Sequence, residues 1–245
     1  MALPAFGNVA LHEQPLADGI ERENEWLSRA AESGTAAAHL WQSRQALVVT
    51  RGYTRLPGWT QACALSAAAG WPVHVRGSGG GLVPLGPGIL NLSLAWRAEP
   101  AAMIDPHGVY RDLCGALSRA LARLGINAVP QEVEGSFCDG RFNLAVSGRK
   151  IAGTAQAWRR IGVHQAVLAQ AVIVVTADPD ALTAIANRFE AVAASGRRYR
   201  AGALTSLARE WSDAHAARVP LAGLEKQLAQ ATIAELAEGR HPATA

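Results

Sequence analysis

The sequence predicts an α+β fold in which a mixed, largely antiparallel sheet is packed by helices. Helical and strand patterns alternate over the first half of the chain, and then three strand patterns follow one another between residues 142 and 175. Strands that succeed each other without a helix between them pair antiparallel, because a parallel pair needs a long crossover. The third observation is apolar content: 49% of 245 residues, enough to bury a sizeable core.

The elements are read in chain order. Ile20, Trp26, Leu27 and Ala30 fall near one helical face, which predicts a helix over residues 18–33 ended by Gly34. Two strands follow at 38–42 and 46–50, the second rich in the Val and Leu that suit buried strands. Pro57 and Gly58 open a second helix reaching residue 69, and Gly70 closes it. Residues 72–96 read as strand, glycine loop, strand, with Val73 and Val75 entering the loop and Ile89, Leu90, Leu92 and Leu94 leaving it. The clearest helix spans 106–124, where Val109, Leu113, Leu117, Leu121 and Leu124 recur at helical spacing before Gly125. Strands are expected at 142–146, 150–157 and 163–175, with Ser147-Gly148-Arg149 as a tight turn between the first two. Helices at 179–194 and 220–238 complete the pattern, the last carrying Leu221, Leu224, Leu228 and Leu236. Residues 1–195 are expected to form the main domain. Residues 196–245 are expected to form a short helical appendage, reached through the glycine-bounded connector at 196–202.

Composition narrows the function classes. Charged residues make up 18% of the chain and the net charge is +3, spread rather than blocked, which excludes a disordered tail. The densest basic run, Arg197-Arg198-Tyr199-Arg200, is too short for a nucleic-acid footprint, so no nucleic-acid partner is expected. The longest apolar stretch, residues 166–177, falls short of the roughly 20 residues that cross a bilayer. Without a secretory pattern at the N-terminus, the cytoplasm is the expected compartment. Cys63, Cys114 and Cys138 are three cysteines at wide spacings, which points away from a disulfide framework and from a metal site.

Three features carry potential chemistry. The run Arg76-Gly77-Ser78-Gly79-Gly80-Gly81 lets backbone N–H groups approach a ligand, although it matches neither a P-loop nor a dinucleotide loop. Its plain alternative is a flexible hairpin. Lys150 and Lys226 are the only lysines among many arginines, and an ammonium at Lys150 offers a compact charge able to stabilise developing negative charge. Beside a hairpin turn, Lys150 is expected at the surface, where truncation shifts stability by less than about 0.5 kcal/mol. Cys138 lies in a glycine-bracketed loop, Gly135-Ser136-Phe137-Cys138-Asp139-Gly140, as suits a reactive thiol, whereas helix-embedded Cys63 and Cys114 fill core space. His74 and His164 sit in strands near these segments, either as ligand contacts or as satisfied strand residues.

Taken in order, the Arg76–Gly81 run, Gly88-Ile89-Leu90-Asn91-Leu92-Ser93 and Gly148-Arg149-Lys150-Ile151-Ala152-Gly153-Thr154-Ala155-Gln156 resemble the lipoate and biotin protein ligase family. The resemblance covers roughly residues 25–194 and implies the class II aminoacyl-tRNA synthetase/biotin synthetase-like fold. It also implies that the glycine loop lines an acyl pocket and that Lys150 contacts the acyl carbonyl. The segment Cys138-Asp139-Gly140-Arg141-Phe142-Asn143-Leu144 is similar to the cysteine motif of the octanoyl-[glycine cleavage protein H]:protein N-octanoyltransferase branch, except that Asn143 replaces the usual acidic residue.

By that resemblance, Cys138 and Lys150 are the catalytic pair. Arg76, Ser78, Gly79, Gly80, Gly81 and Asn91 are expected to bind substrate, together with Gly153, Thr154, Ala155, Gln156 and, for its strand position near these segments, His164. Backbone N–H groups of the glycine loop or of Gly153 to Ala155 would complete an oxyanion site, and Leu82, Val83 and helix faces would wall an acyl tunnel. The implied activity moves an octanoyl or lipoyl group onto a lysine of a lipoyl-domain protein through a Cys138 thioester. The implied partners are glycine cleavage protein H and the E2 subunits of 2-oxoacid dehydrogenases. That reaction needs no cofactor; the alternatives are an ATP- and Mg-dependent lipoate ligase and a non-enzymatic acyl-binding protein.

Overall fold

The computed structural model describes residues 3–77, 80–99, 105–214 and 223–238. In chain order the elements are β1 (Val9–Leu11), α1 (Gly19–Ser33), β2 (Ala37–Trp41), β3 (Ala46–Thr50), a 3-10 turn (Arg51–Arg55), α2 (Trp59–Ala68), β4 (Val73–Arg76), β5 (Val83–Leu85) and β6 (Ile89–Arg97). They continue with α3 (Pro106–Ala122), β7 (Val129–Pro130), β8 (Leu144–Val146), β9 (Arg149–Ile161), β10 (His164–Val174), α4 (Pro179–Ala193), α5 (Leu207–Ala214) and α6 (Leu224–Glu238). Among the described residues, β1-β2-β6-β10-β9-β8-β7 form a seven-stranded sheet in that spatial order, and β4-β3-β5 form a three-stranded one. Neighbours in the large sheet run antiparallel except for β1 with β2. The class and sheet type read from the sequence are those of the structure.

Period-two alternation on β6 and β10 builds two cores, one on each face of the large sheet. Leu90, Leu92, Leu94 and Trp96 of β6, with Val167, Ala169, Ala171 and Ile173 of β10, pack with Leu113, Leu117 and Leu121 of α3 and Leu228 of α6. On the other face, Ile89, Leu168 and Val174 join Trp26 and Leu27 of α1, Leu47 and Val49 of the small sheet, and Leu182 and Phe189 of α4. Asn91, Ser93 and Gln170 alternate with the first set and are also buried. Polar residues on a buried strand face mark ground that is used for more than packing.

Several boundaries differ from the sequence reading. Helix α2 starts at Trp59, because Gly58 must let α4 approach: a Cβ there would lie 1.8 Å from the Val192 carbonyl oxygen. The glycine segment does not join two partnered strands. Strand β4 pairs with one side of β3 and β5 with the other, so the segment crosses from one edge of the small sheet to its opposite edge, and residues 86–88 then lead to β6 in the large sheet. The turn before β9 uses Ser147 and Gly148, both at positive φ (50° and 75°), while Arg149 already pairs with Val146. Strands β1, β5 and β7 and the 3-10 turn are too short to leave a period in the sequence, and α5 adds a helix within the expected appendage. Residues 220–222 of the last expected helix lie outside the described residues, and α6 follows from Leu224.

Beyond residue 195 the chain contributes Tyr199, Ala203 and Leu204 to the second core and Leu207, Leu224 and Leu228 to the first. It also binds the start of β9: Lys150 N–H donates to Ala203 O and Thr205 N–H donates to Lys150 O, each at 2.9 Å. Among the described residues, no helix is long and apolar enough to cross a membrane.

Candidate active site

Strands β6, β9 and β10, helix α1, the small sheet and the 135–140 loop surround a cavity of about 210 Å³. That volume lies below the roughly 300–1,000 Å³ of common small-molecule sites, so it suits a slender occupant. Its apolar wall comes from Ile20, Val83, Leu85, Ile89, Val172 and Val174. Val83 is where the sequence reading put it. Leu82 packs within the second core and is not among the residues that line the cavity.

Cys138 lines this cavity and is half-buried. Its backbone sits at φ 50°, a left-handed conformation that non-glycine residues adopt rarely and that clusters at functional sites. The Gly81 N–H donates to Cys138 Sγ at 2.7 Å, so the glycine segment aims a backbone dipole at the sulfur. A Cβ on Gly80 would stand 2.9 Å from Sγ, and one on Gly81 3.5 Å. Glycine is required because the loop main chain lies directly against the thiol. The Arg76 guanidinium donates to Gly81 O at 3.2 Å and braces the segment from β4.

Lys150 corrects an expectation. It is 5% exposed, not a surface lysine, because residues 203–205 pair with its main chain and cover the start of β9. Its ammonium donates to Phe137 O and, at 3.2 Å, to Cys138 O, where Asn143 Nδ2 also donates at 2.7 Å. Two neighbouring residues therefore hold the carbonyl of Cys138. Asn143 supplies an N–H donor here, which a carboxylate could not. Burial pulls the Lys150 pKa down from 10.5 to about 8, with Cys138 and Asp139 opposing the shift. A Cβ on Gly153 would lie 2.9 Å from Nζ, so this glycine makes room for the ammonium at the cavity wall.

Of the residues assigned from sequence, Arg76, Gly80, Asn91, Cys138, Lys150, Gly153, Thr154, Ala155 and Gln156 line the one cavity, and Gly81 touches the thiol. Asn91 Nδ2 donates to Trp41 O, Thr154 Oγ1 to Phe142 O at 2.5 Å, and Gln156 Nε2 to Pro106 O. Ser78 and Gly79 lie outside the described residues. His164 stands apart: it pairs with Ile161 at the far end of the β9–β10 hairpin, eight residues along β9 from Gly153, or about 26 Å at strand rise. His74 faces Glu21 at 3.9 Å. Cys114 is fully buried, its pKa pushed up to about 12 by desolvation, and Cys63 packs against the second core, its pKa also raised by burial.

Two buried polar groups at the site are missing from the sequence reading. On the α1 side, Glu23 accepts from Ser93 Oγ at 2.7 Å and from Gln170 Nε2 at 2.5 Å, and Trp41 Nε1 donates to Ser93 Oγ. Desolvation raises the Glu23 pKa from 4.5 to about 7 against those bonds. Behind the glycine segment, Glu190 Oε1 accepts from both Tyr53 and Tyr199 hydroxyls. Glu23 alone breaks the polarity of the buried α1 face, which is a signal that sequence inspection can catch; the Glu190 cluster joins residues far apart in the chain.

A mixed sheet with helices on both faces carries the class II synthetase-like fold of lipoate-protein ligases, and within it a glycine segment against a thiol and a buried lysine on the adjoining strand make the site. Residues 20–229 match the lipoyl protein ligase A/B catalytic domain, and the chain belongs to that family. An uncharacterised protein of Cupriavidus necator is 45% identical over 214 residues, 82% of this chain and 84% of that one. A Kyrpidia tusciae protein named octanoyl-[GcvH]:protein N-octanoyltransferase is 35% identical over 208 residues, 81% of this chain and 71% of that one. Among solved structures, lipoate-protein ligase A bound with ATP superimposes with a TM-score of 0.69 at 17% identity, covering 95% of this chain and 85% of that one. That last likeness speaks for the fold alone.

Proposed function

We propose that this protein is an acyltransferase that moves an octanoyl or lipoyl group onto a lysine of a lipoyl-domain protein, with Cys138 as the acyl carrier. One observation carries the reading: Cys138 Sγ faces an apolar-walled cavity while accepting the Gly81 N–H at 2.7 Å. The relationship to a named octanoyltransferase supports it. In the reaction, the Cys138 thiol attacks the carbonyl of the donor's acyl-lysine amide as its thiolate, the tetrahedral adduct collapses with cleavage of the C–N bond, and the donor amine leaves with the proton the thiol gave up. The acceptor lysine amine then attacks the thioester, the C–S bond breaks, and the amine's proton returns to the sulfur. Two of the three Lys150 N–H donors hold the Cys138 loop, which leaves one for the acyl oxygen as its charge develops. Each methylene placed on the apolar wall contributes about 0.8 kcal/mol to binding. Acceptors of this chemistry are glycine cleavage protein H and E2 lipoyl domains, and the cycle consumes no cofactor.

The test is intact-mass analysis after incubation with an octanoylated donor protein, without ATP and without acceptor. One octanoyl group on Cys138, removable by neutral hydroxylamine, is the expected product. Cys138→Ser loses transfer, because an alkoxide is much harder to form than a thiolate, whereas Cys63→Ser and Cys114→Ser keep the adduct. A chain that stays unmodified until ATP is added, and that remains active as Cys138→Ser, is a ligase instead. A chain that binds octanoyl compounds under every condition and transfers none is an acyl-binding protein.

A further inference from the structure

The two walls of the Cys138 site are separate in sequence, yet both are tied to one carboxylate oxygen. Glu190, on α4 and 1% exposed, accepts at Oε1 from Tyr53 Oη and from Tyr199 Oη, each at 2.6 Å. The Tyr53 oxygen in turn accepts from Leu82 N–H at 3.2 Å and from Arg197 Nη1 at 2.7 Å. Leu82 directly follows Gly81, whose N–H is on Cys138 Sγ. The Tyr199 ring packs edge-on against Phe137, the residue before Cys138, with centroids 4.6 Å apart. Asn187, one helical turn before Glu190, fixes the Tyr199 main chain through paired bonds of 2.7 and 2.9 Å.

We infer that Glu190, Tyr53 and Tyr199 are positioning residues that clamp the glycine segment to the cysteine loop and so hold the Gly81 N–H on Cys138 Sγ. The inference deepens the proposed thioester chemistry and rests on it. A hydrogen bond that stabilises a thiolate must be held in place, since a loose glycine loop spreads its N–H directions and loses the stabilisation. Here the loop has almost no side chains to anchor it, so the anchor is a main-chain bond from Leu82 to a phenol oxygen. Burial and the neighbouring Glu190 raise the pKa of both phenols, which keeps their protons in place as donors. Arg197 lies over the Tyr53 ring, 5.3 Å from its centroid, and braces the same oxygen from the solvent side.

Tyr53→Phe tests the clamp, because it keeps the buried ring and removes the oxygen that holds Leu82. Iodoacetamide alkylation of Cys138, followed across pH in the full chain, is the readout. The expected result is an alkylation profile displaced to higher pH, together with thioester formation slowed on the order of tenfold, while the affinity for an octanoyl amide is unchanged. A purely structural role would lower stability and leave the profile where it is; that outcome overturns the clamp. Glu190→Gln keeps an oxygen for both hydroxyls and Glu190→Leu removes it, so the first should retain more of the wild-type profile than the second. Equal profiles in those two variants also refute the inference, and they serve as the test if Tyr53→Phe does not fold. Alkylation reads the thiol without any acyl donor. A displaced profile in a protein that never forms the thioester therefore upholds the clamp and overturns the acyl-carrier reading separately.

Discussion

Replacing Gly80 by alanine places a methyl group where the thiol already is. The new Cβ would stand 2.9 Å from Cys138 Sγ and 2.7 Å from Arg76 Nη2, on a backbone with φ of 108°. Non-bonded heavy atoms rest about 3.5–4.0 Å apart, so the sulfur must retreat by about 1 Å or the segment must lift away from it. Either movement lengthens the Gly81 N–H contact to Sγ and displaces the sulfur from its place on the cavity wall. A misplacement of that size at a reacting atom costs about 100-fold in rate, or about 2.7 kcal/mol of transition-state stabilisation. The positive φ adds a separate cost of about 1–2 kcal/mol in stability. Two other glycines divide these effects. Gly148 has a φ of 75° and open space around its Cβ position, so Gly148→Ala measures strain alone, and Gly140, with open space and no such backbone, serves as the blank. Single-turnover thioester formation, read by intact mass, should fall about 100-fold for Gly80→Ala and stay at the wild-type rate for both controls. Urea unfolding should show comparable losses for Gly80→Ala and Gly148→Ala. Wild-type thioester formation by Gly80→Ala would refute the claim that the glycine main chain packs against a reacting sulfur.

Lys150→Met should abolish transfer while changing stability at neutral pH by no more than about 1 kcal/mol, because a carbonyl left short of a donor costs about 1–3 kcal/mol and removing a buried charge offsets it; retained transfer in the folded variant ends the role given to Lys150. Since the folded pKa of Lys150 is lowered to about 8 from 10.5, the unfolded chain holds more protons between those values. Its contribution to stability therefore rises with pH across that window, and transfer that needs the ammonium declines above about pH 8. Glu23 runs the other way: with its pKa raised from 4.5 to about 7, the folded chain holds more protons between those values, so stability falls as pH rises through them. The fall is on the order of 3 kcal/mol, and thermal denaturation across that range should show it flattened in Glu23→Gln; parallel curves for the two proteins would place Glu23 in water. With its pKa near 12 and no exposure, Cys114 should resist alkylation in the folded protein and react only on unfolding, as peptide mapping can check.

The strand and helix periods were strong enough to place the long elements before any coordinates. Leu113, Leu117 and Leu121 recur every four residues on one helix, and an apolar run marks the strand at 163–175; Val167, Ala169, Ala171 and Ile173 of that strand bury in the same core as the helix stripe. Short-range chemistry was legible for the same reason: the glycine run, the Ser147-Gly148 turn and the glycine-bracketed Cys138 act within a few residues of themselves. The gathering of those motifs at one cavity was legible only by resemblance, because spacing alone does not tell which strand becomes whose neighbour.

What the sequence by itself determined is therefore the class of fold, the core stripe of the long helix, the apolar run of the central strand and the residue types available for acyl chemistry. Tertiary structure alone decided how those residues stand. Lys150 is buried because residues 203–205, some fifty positions later, pair with its main chain, and a local reading of a hairpin turn has no access to that partner. His164 was placed with the site for being near in sequence, but β9 continues without a break for thirteen residues and carries its far end away. Glu190, Tyr53 and Tyr199 meet across 137 and 9 residues of chain. A buried carboxylate that closes such a cluster is ordinary polar sequence until the fold removes the water around it.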